Sequence, residues 1–467
     1  MRGAPLADTA TALLHEALEL YHDNPPATEQ LHHHLSRFGE PLRVAVAGPW
    51  QAGKSTLVNA LVGEEVAPID APGGHQVFAW YQDGPQPHAV AYPAGQELPV
   101  GRSSNGLIVD IGQWRPAPVN DLVVTWPTRT LRHATVIDTP AVPAAGDKVL
   151  RDADAVLYLT RDARGTDLRW LEETGTGPVN ALLVLSRADE TGGGRIDALL
   201  AARQLARRQQ REPRVSAVCL GVVAVGGLVA LAGRVLTEPD FTALATLART
   251  PRAELDNHLL STDRFTGTEF PAPVDVATRR ALLDRLGIFG VRLATTLIRT
   301  GSDTRAKLAA ELVRRSGLAE LREAVNRCFV DRRDALKARS ALAALESVLR
   351  AEPRPGAEKL RAALEHALAN AHDFRELRLL AALRGQRVAF DGDLATEARR
   401  LIGENGTGLP ARLGVDHRAT AAHLWQLSTV ALHRWQEQAE DPALTLDQRR
   451  AAQVVVRSCE GILHTLS

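Results

Sequence analysis

Val44-Ala45-Val46-Ala47-Gly48-Pro49-Trp50-Gln51-Ala52-Gly53-Lys54-Ser55-Thr56-Leu57-Val58-Asn59-Ala60-Leu61 places an apolar run, a glycine-bounded loop and an amphipathic run in direct succession. The first run predicts a strand and the last a helix. Between them, Gly48-x-x-x-x-Gly53-Lys54-Ser55 has the spacing of a phosphate-binding loop, in the strand-loop-helix setting that loop requires. Glycines at 48 and 53, with Gln51 and Ala52 between, let backbone N–H groups converge on phosphate oxygens. The helix N-terminus adds partial positive charge. Lys54 is expected on the β and γ phosphates of a triphosphate, with Thr56 beside it. Ser55 offers a hydroxyl to Mg²⁺.

Outward from this loop the chain divides in two. From Leu42 to about Val225, short apolar runs alternate with helical ones. Val44–Ala47, Ala134–Ile137, Ala155–Leu159, Ala181–Leu185 and Ala217–Val225 are the predicted strands. Ser55–Leu61 and Gly194–Arg208 are predicted helices among them. This alternation argues a largely parallel α/β sheet. After Thr237 the pattern is almost wholly helical: Thr278–Leu286, Ala306–Arg314, Leu318–Leu349, Glu358–Leu383 and Thr420–Gln438 each carry an apolar stripe. Leu318–Leu349 reads as one long rod, and Glu352-Pro353-Arg354-Pro355-Gly356 as the turn after it. The first ~40 residues are expected to form two helices, parted at Pro25-Pro26, that pack beside the helical bundle. The charge-free stretch from Val215 to Gly233 is expected to be a strand, a glycine turn and a helix, with a membrane span as the alternative.

The 467 residues suffice for more than one core. A formal net charge of zero gives no global attraction to nucleic acid, and no nucleic-acid partner is expected. Three scattered cysteines, Cys219, Cys328 and Cys459, and no apolar leader point to a reduced, cytoplasmic setting.

Two downstream motifs name the base. Val136-Ile137-Asp138-Thr139-Pro140 ends a strand with an Asp suited to hold Mg²⁺ through water. Leu185-Ser186-Arg187-Ala188-Asp189 ends another. There Asp189 can accept from the N1 and exocyclic amine of guanine while the stem of Arg187 covers one face of the base, with Ser186 beside them. Alone, Ser-Arg-Ala-Asp is a common surface turn. In order after the phosphate loop and Asp-Thr-Pro it favours GTP over ATP.

Together these residues resemble the bacterial dynamin-like GTPases, in the actinobacterial branch of the isoniazid-induced mycobacterial proteins. Ala153–Thr160, Leu185–Glu190, Leu259–Phe265, Arg285–Val291 and Ser316-Gly317-Leu318 carry the likeness onward. The resemblance implies an α/β P-loop GTPase domain at 41–328, with a helical insertion near 238–302. It also implies an elongated α-helical bundle stalk at 329–467, with the helices of 1–40 packed on it. GTP and Mg²⁺ are the implied cofactors. Self-association, or pairing with a paralogous dynamin-like protein, is implied through the GTP domain. Membrane lipid is a further partner at the stalk, which would hold the protein peripherally on the inner face of the cell membrane. Gln51 stands where many dynamin-like proteins carry a polar residue near the β–γ bridge. It is equally compatible with a solvent-facing role.

Two residues depart from the family pattern. His75, in Asp70–Tyr81, stands where the family places a threonine that closes over Mg²⁺ and the attacking water. A neutral imidazole is a poor Mg²⁺ ligand. Ala141 replaces the usual glycine after Asp138-Thr139-Pro140, and a Cβ restricts the backbone rotation that meets the γ phosphate. Hydrolysis is therefore expected to suffer more than binding. The runner-up is a soluble GTP switch or pseudo-GTPase acting through protein partners. The basic run Arg203–Arg211 reads as a solvated helix face rather than a lipid site. His32-His33-His34 reads as surface, because consecutive helical residues point in different directions.

Overall fold

Strands buried on both faces read as unbroken apolar runs, and the centre of the sheet is built from such runs. The computed structural model describes residues 6–67, 77–92, 96–98, 100–103, 106–109, 120–142, 145–161, 168–173 and 179–467. Among them are strands β1 (Leu42–Ala47), β2 (Phe78–Asp83), β3 (His88–Tyr92), β4 (Gln96–Leu98), β5 (Val100–Ser103), β6 (Gly106–Val109), β7 (Asp121–Trp126), β8 (Ala134–Asp138), β9 (Ala155–Thr160), β10 (Ala181–Leu185) and β11 (Gly221–Ala224). Nine form one sheet in the order β11-β10-β9-β1-β8-β2-β7-β3-β4, and β5 and β6 form a separate hairpin. From β11 to β8 all pairs are parallel. β2 reverses against β8, β7 follows β2 in parallel, and β3 reverses again.

The two-residue period of the strands sorts their side chains onto the two faces. Val44, Val46, Leu157, Leu159, Leu182 and Val184 join one core with Leu57, Val58 and Leu61 of the phosphate-loop helix. Ala45, Ala47, Val156, Tyr158, Ala181 and Leu183 join a second core on the opposite face, with Val149 and Trp170. Helices therefore cover both faces of the sheet.

A third core unites helices 198–211, 227–235, 238–249, 276–299 and 305–316 through residues such as Leu199, Val229, Leu244, Leu282 and Leu312. The remainder is helical. Leu14, Tyr21 and Leu31 of the N-terminal helices pack on Leu342, Leu345 and Leu360. The C-terminal helices, from His372–Arg384 to Leu446–Leu466, close around Trp435. The 352–356 turn is pinned to the turn after the first helix, since Tyr21 Oη donates to the Glu352 carbonyl at 2.7 Å and Arg354 Nη1 to Asp23 at 2.6 Å.

Several expectations need correction. Residues 217–225 are not one strand: Pro213–Val218 is helix, and only Gly221–Ala224 is strand. Pro213 opens that helix at its first turn, where a missing N–H costs nothing. Leu318–Leu349 is not one rod. Leu318–Cys328 and Arg333–Ala351 are separate helices joined by the short turn Val330–Arg332. The helix expected at 358–383 parts at Ala371, and that over 276–299 carries a kink at Gly287 with φ of 65°. His34 is buried rather than exposed, beside Arg37. Burial pushes its imidazole down to about 3, with Arg37 adding to the effect. The Val215–Gly233 run is distributed over a helix end, β11 and the helix Gly227–Val235. Among the described residues no helix is long and apolar enough to cross a membrane.

Candidate functional site

β1 ends at Ala47 against β8 and β9, so the following loop emerges between Asp138 and Leu159. Gly48 tolerates no side chain, because a Cβ would run into the Leu159 carbonyl oxygen. Gln51 adopts a left-handed φ of 56° and is exposed, as is Trp50. Gly53, at φ 85°, turns the chain into the helix Lys54–Val62. Lys54 is buried and folds back over the loop, with Nζ 3.3 Å from the Gly48 carbonyl and 3.1 Å from that of Pro49. Burial pushes its ammonium pKa down, opposed by the nearby charge of Asp138. A cation that donates to backbone carbonyls can trade them for phosphate oxygens.

The register Val46↔Asp138 sets Asp138 beside the loop. Ser55 Oγ donates to Asp138 Oδ2 at 2.6 Å. The two hard oxygen groups that the sequence assigned to Mg²⁺ are therefore adjacent, and they are the donor type this ion prefers. Among the described residues no cluster of three or more His, Cys, Asp or Glu forms a metal site of its own. Val142 N–H donates to the Gly48 carbonyl at 3.3 Å, tying the stretch that contains Ala141 to the phosphate loop. His75 lies outside the described residues.

At the other end, Ser186 N–H and Oγ both donate to the Thr160 carbonyl, at 2.9 and 3.2 Å, and Ala188 N–H donates to Val225 at 3.3 Å. These bonds fix a turn with Arg187 at φ 51° and Asp189 largely buried. Burial pushes the Asp189 carboxyl up; its own backbone N–H and Arg187 oppose this, and Glu190 adds to it. Arg187 is half turned to solvent and pairs with Glu190 at 2.7 Å. Gly226 makes a close approach here: a Cβ would stand 3.0 Å from Leu199 and 3.3 Å from Asp189 Oδ1.

A single cavity of about 550 Å³ brings Gln51, Ala52, Gly53, Lys54, Ser55 and Thr56 together with Ser186, Arg187 and Asp189. Asp138 does not line it, but accepts from Ser55, which does. The same cavity is lined by Leu228 and Asp284, which sequence reasoning missed. The paired glycines 226 and 227 marked a turn near Leu228. Nothing in the local sequence around Asp284 pointed to it.

No family model matches the chain. It is 37% identical over 489 aligned positions, covering 99% of each protein, to the isoniazid-induced protein IniC of Mycobacterium tuberculosis. The chain belongs to the IniC family. The relationship is the same in a second strain of that organism, again at 37% identity. The IniC family is the isoniazid-induced branch of bacterial dynamin-like proteins that the motifs resemble. Partial likeness extends to the tRNA modification GTPase MnmE of Rhizorhabdus wittichii, 30% identical over 176 residues and 37% of each chain. A solved chain from an oligomerised bacterial dynamin pair, described as sensing and tethering membranes, superposes with a TM-score of 0.32 at 11% identity, over 99% of this chain and 74% of that one.

Proposed function

We propose that this IniC-family protein binds GTP with Mg²⁺ in the cavity between the phosphate loop and Asp189. One observation carries the reading: a single space joins Lys54 and Ser55, suited to phosphates, to Asp189, suited to the guanine edge. Gly48, Gln51, Ala52, Gly53 and Thr56 contribute backbone and loop contacts. Ser186 and Arg187 hold and flank the base. Ser55 would hold Mg²⁺ directly and Asp138 would hold it through water, and the ion would supply charge neutralisation at the β and γ phosphates. This chain's own residues orient the triphosphate and exclude water around it.

The domain reading is a GTP-binding unit at 41–328 with an insertion near 238–302, the helices of 1–40, and a helical stalk at 329–467. The protein self-associates through the GTP domain, or pairs with a paralogue, and remodels or maintains a membrane from the cytoplasmic side. Its turnover is weak, because His75 replaces a hard Mg²⁺ ligand and Ala141 stiffens the γ-phosphate loop. Each lost contact is worth about two or more orders of magnitude in phosphoryl transfer.

Competition of GTP against ATP for a bound labelled nucleotide tests the first claim; equal displacement refutes it. Co-sedimentation with anionic liposomes, with and without a GTP analogue, tests membrane work. Absence from the lipid pellet in both states, with nucleotide-dependent dimers intact, replaces it with a soluble GTP switch acting through protein partners.

A further inference from the structure

Asp284 lines the nucleotide cavity from an element that neither the phosphate loop nor the base turn contributes. It sits on the helix Val276–Arg299, one turn before the kink at Gly287. Its neighbours Leu282 and Leu286 are buried in the third core and fix the helix's rotation. Arg292, two turns on, donates to the Gly194 carbonyl at 3.0 Å and the Leu259 carbonyl at 2.7 Å. The helix is thereby tied to the segment just after Asp189. Arg285 points elsewhere and pairs with Asp240 at 2.6 Å. Asp284 itself is exposed at the cavity, and among the described residues no hydrogen bond or ion pair engages it.

We propose that Asp284 recognises the ribose of the bound nucleotide, accepting hydrogen bonds from its 2′ and 3′ hydroxyls. This rests on the reading of the cavity as a GTP site. An ionised carboxylate only accepts hydrogen bonds. Its charge repels the phosphates, so a contact it makes with a bound nucleotide falls on a donor group. Guanosine offers two sets: the N1 and exocyclic amine edge, and the ribose hydroxyls. Asp189 takes the first. The vicinal diol remains, and its two O–H groups match the two oxygens of one carboxylate. A helix from the insertion would thus touch the nucleotide directly, so nucleotide occupancy would bear on the packing of that unit.

The test is calorimetric titration of the full chain with GTP, 2′-deoxy-GTP, 3′-deoxy-GTP and ATP, for the parent, Asp284→Ala and Asp284→Asn. The parent is expected to bind GTP about tenfold more tightly than either deoxy form, the worth of one hydrogen bond to a charged acceptor. Asp284→Ala is expected to weaken GTP about a hundredfold, the worth of two such bonds, and each deoxy form only about tenfold, since each keeps one hydroxyl, so the preference for GTP disappears. Asp284→Asn, which keeps one acceptor, falls between. Tight GTP binding with the same GTP to deoxy-GTP ratio in parent and variants overturns the ribose assignment alone. A parent that does not prefer GTP to ATP overturns the nucleotide reading, and this proposal with it. Because Asp284 is exposed, unchanged circular dichroism of the variants is expected, which separates lost contact from lost fold.

Discussion

Replacing Glu376 by Gln removes one charge from the most enclosed ionic cluster in the helical region. Glu376 is 1% exposed and Arg332 2%. Arg332 Nη1 donates to Oε2 at 3.1 Å, Arg412 donates to both oxygens at 2.6 and 2.9 Å, and Ser458 Oγ donates to Oε1 at 2.7 Å. These partners come from the 330–332 turn, the 409–413 helix and the C-terminal helix, so one carboxylate joins three elements. Glutamine keeps the shape but leaves two buried guanidinium groups without their anion. Breaking a buried pair from one side costs about 3–5 kcal/mol. The comparison is Glu346→Gln, whose pair with Arg350 has side chains 52% and 76% exposed and is worth about 0.3–0.5 kcal/mol. Urea unfolding followed by far-UV circular dichroism measures both. The reasoning also predicts a pH dependence. Burial pushes the Glu376 carboxyl up, but Arg412, His372 and Arg332 outweigh it and hold it well below the usual range. A depressed folded value gives stability that is fully present above the unfolded value of about 4.3 and is lost as pH falls below it. The gap between parent and Glu376→Gln should therefore close in acid. A loss no larger than that of Glu346→Gln, or a gap unchanged by acid, refutes the account.

Lys54→Ala removes the cation nearest the expected phosphates and is expected to weaken GTP binding at least about a hundredfold, read by calorimetry, without changing the urea midpoint by more than about 1 kcal/mol equivalent. Asp189→Asn exchanges an acceptor pair for a mixed donor and acceptor, so it should lose GTP and gain xanthosine triphosphate, whose ring carries a carbonyl in place of the amine. Because burial raises the Asp189 carboxyl, GTP affinity should begin to fall at a higher pH than an exposed carboxylate would produce, and titrations across the acid range read this. His75→Thr combined with Ala141→Gly should raise single-turnover GTP hydrolysis by at least about a hundredfold; no gain removes the stated cause of weak turnover.

The sequence by itself determined the features whose physics is local. The phosphate loop was legible because its turn is set within the loop, where Gly53 must be left-handed directly before Lys54; that Gly48 must also clear Leu159 is a contact the sheet supplies. β1, β8, β9 and β10 were legible because burial on both faces makes a strand uniformly apolar. β7 was not, because its burial alternates and its residues mix polar with apolar. Tertiary structure decided what depends on contacts between distant segments. The helix expected across 318–349 is interrupted at Val330–Arg332, where Arg332 reaches Glu376 and the Ile402 carbonyl, contacts with distant segments that the local pattern does not show. His34 is buried because the first helices close on the ends of the central strands β1 and β9, where Arg37 meets Asp154 at 2.5 Å. Asp284 entered the cavity only because Leu282 and Leu286 set the rotation of its helix. No pattern around position 284 encodes that, since a charge on a helix face looks the same in sequence whether it meets water or a ligand.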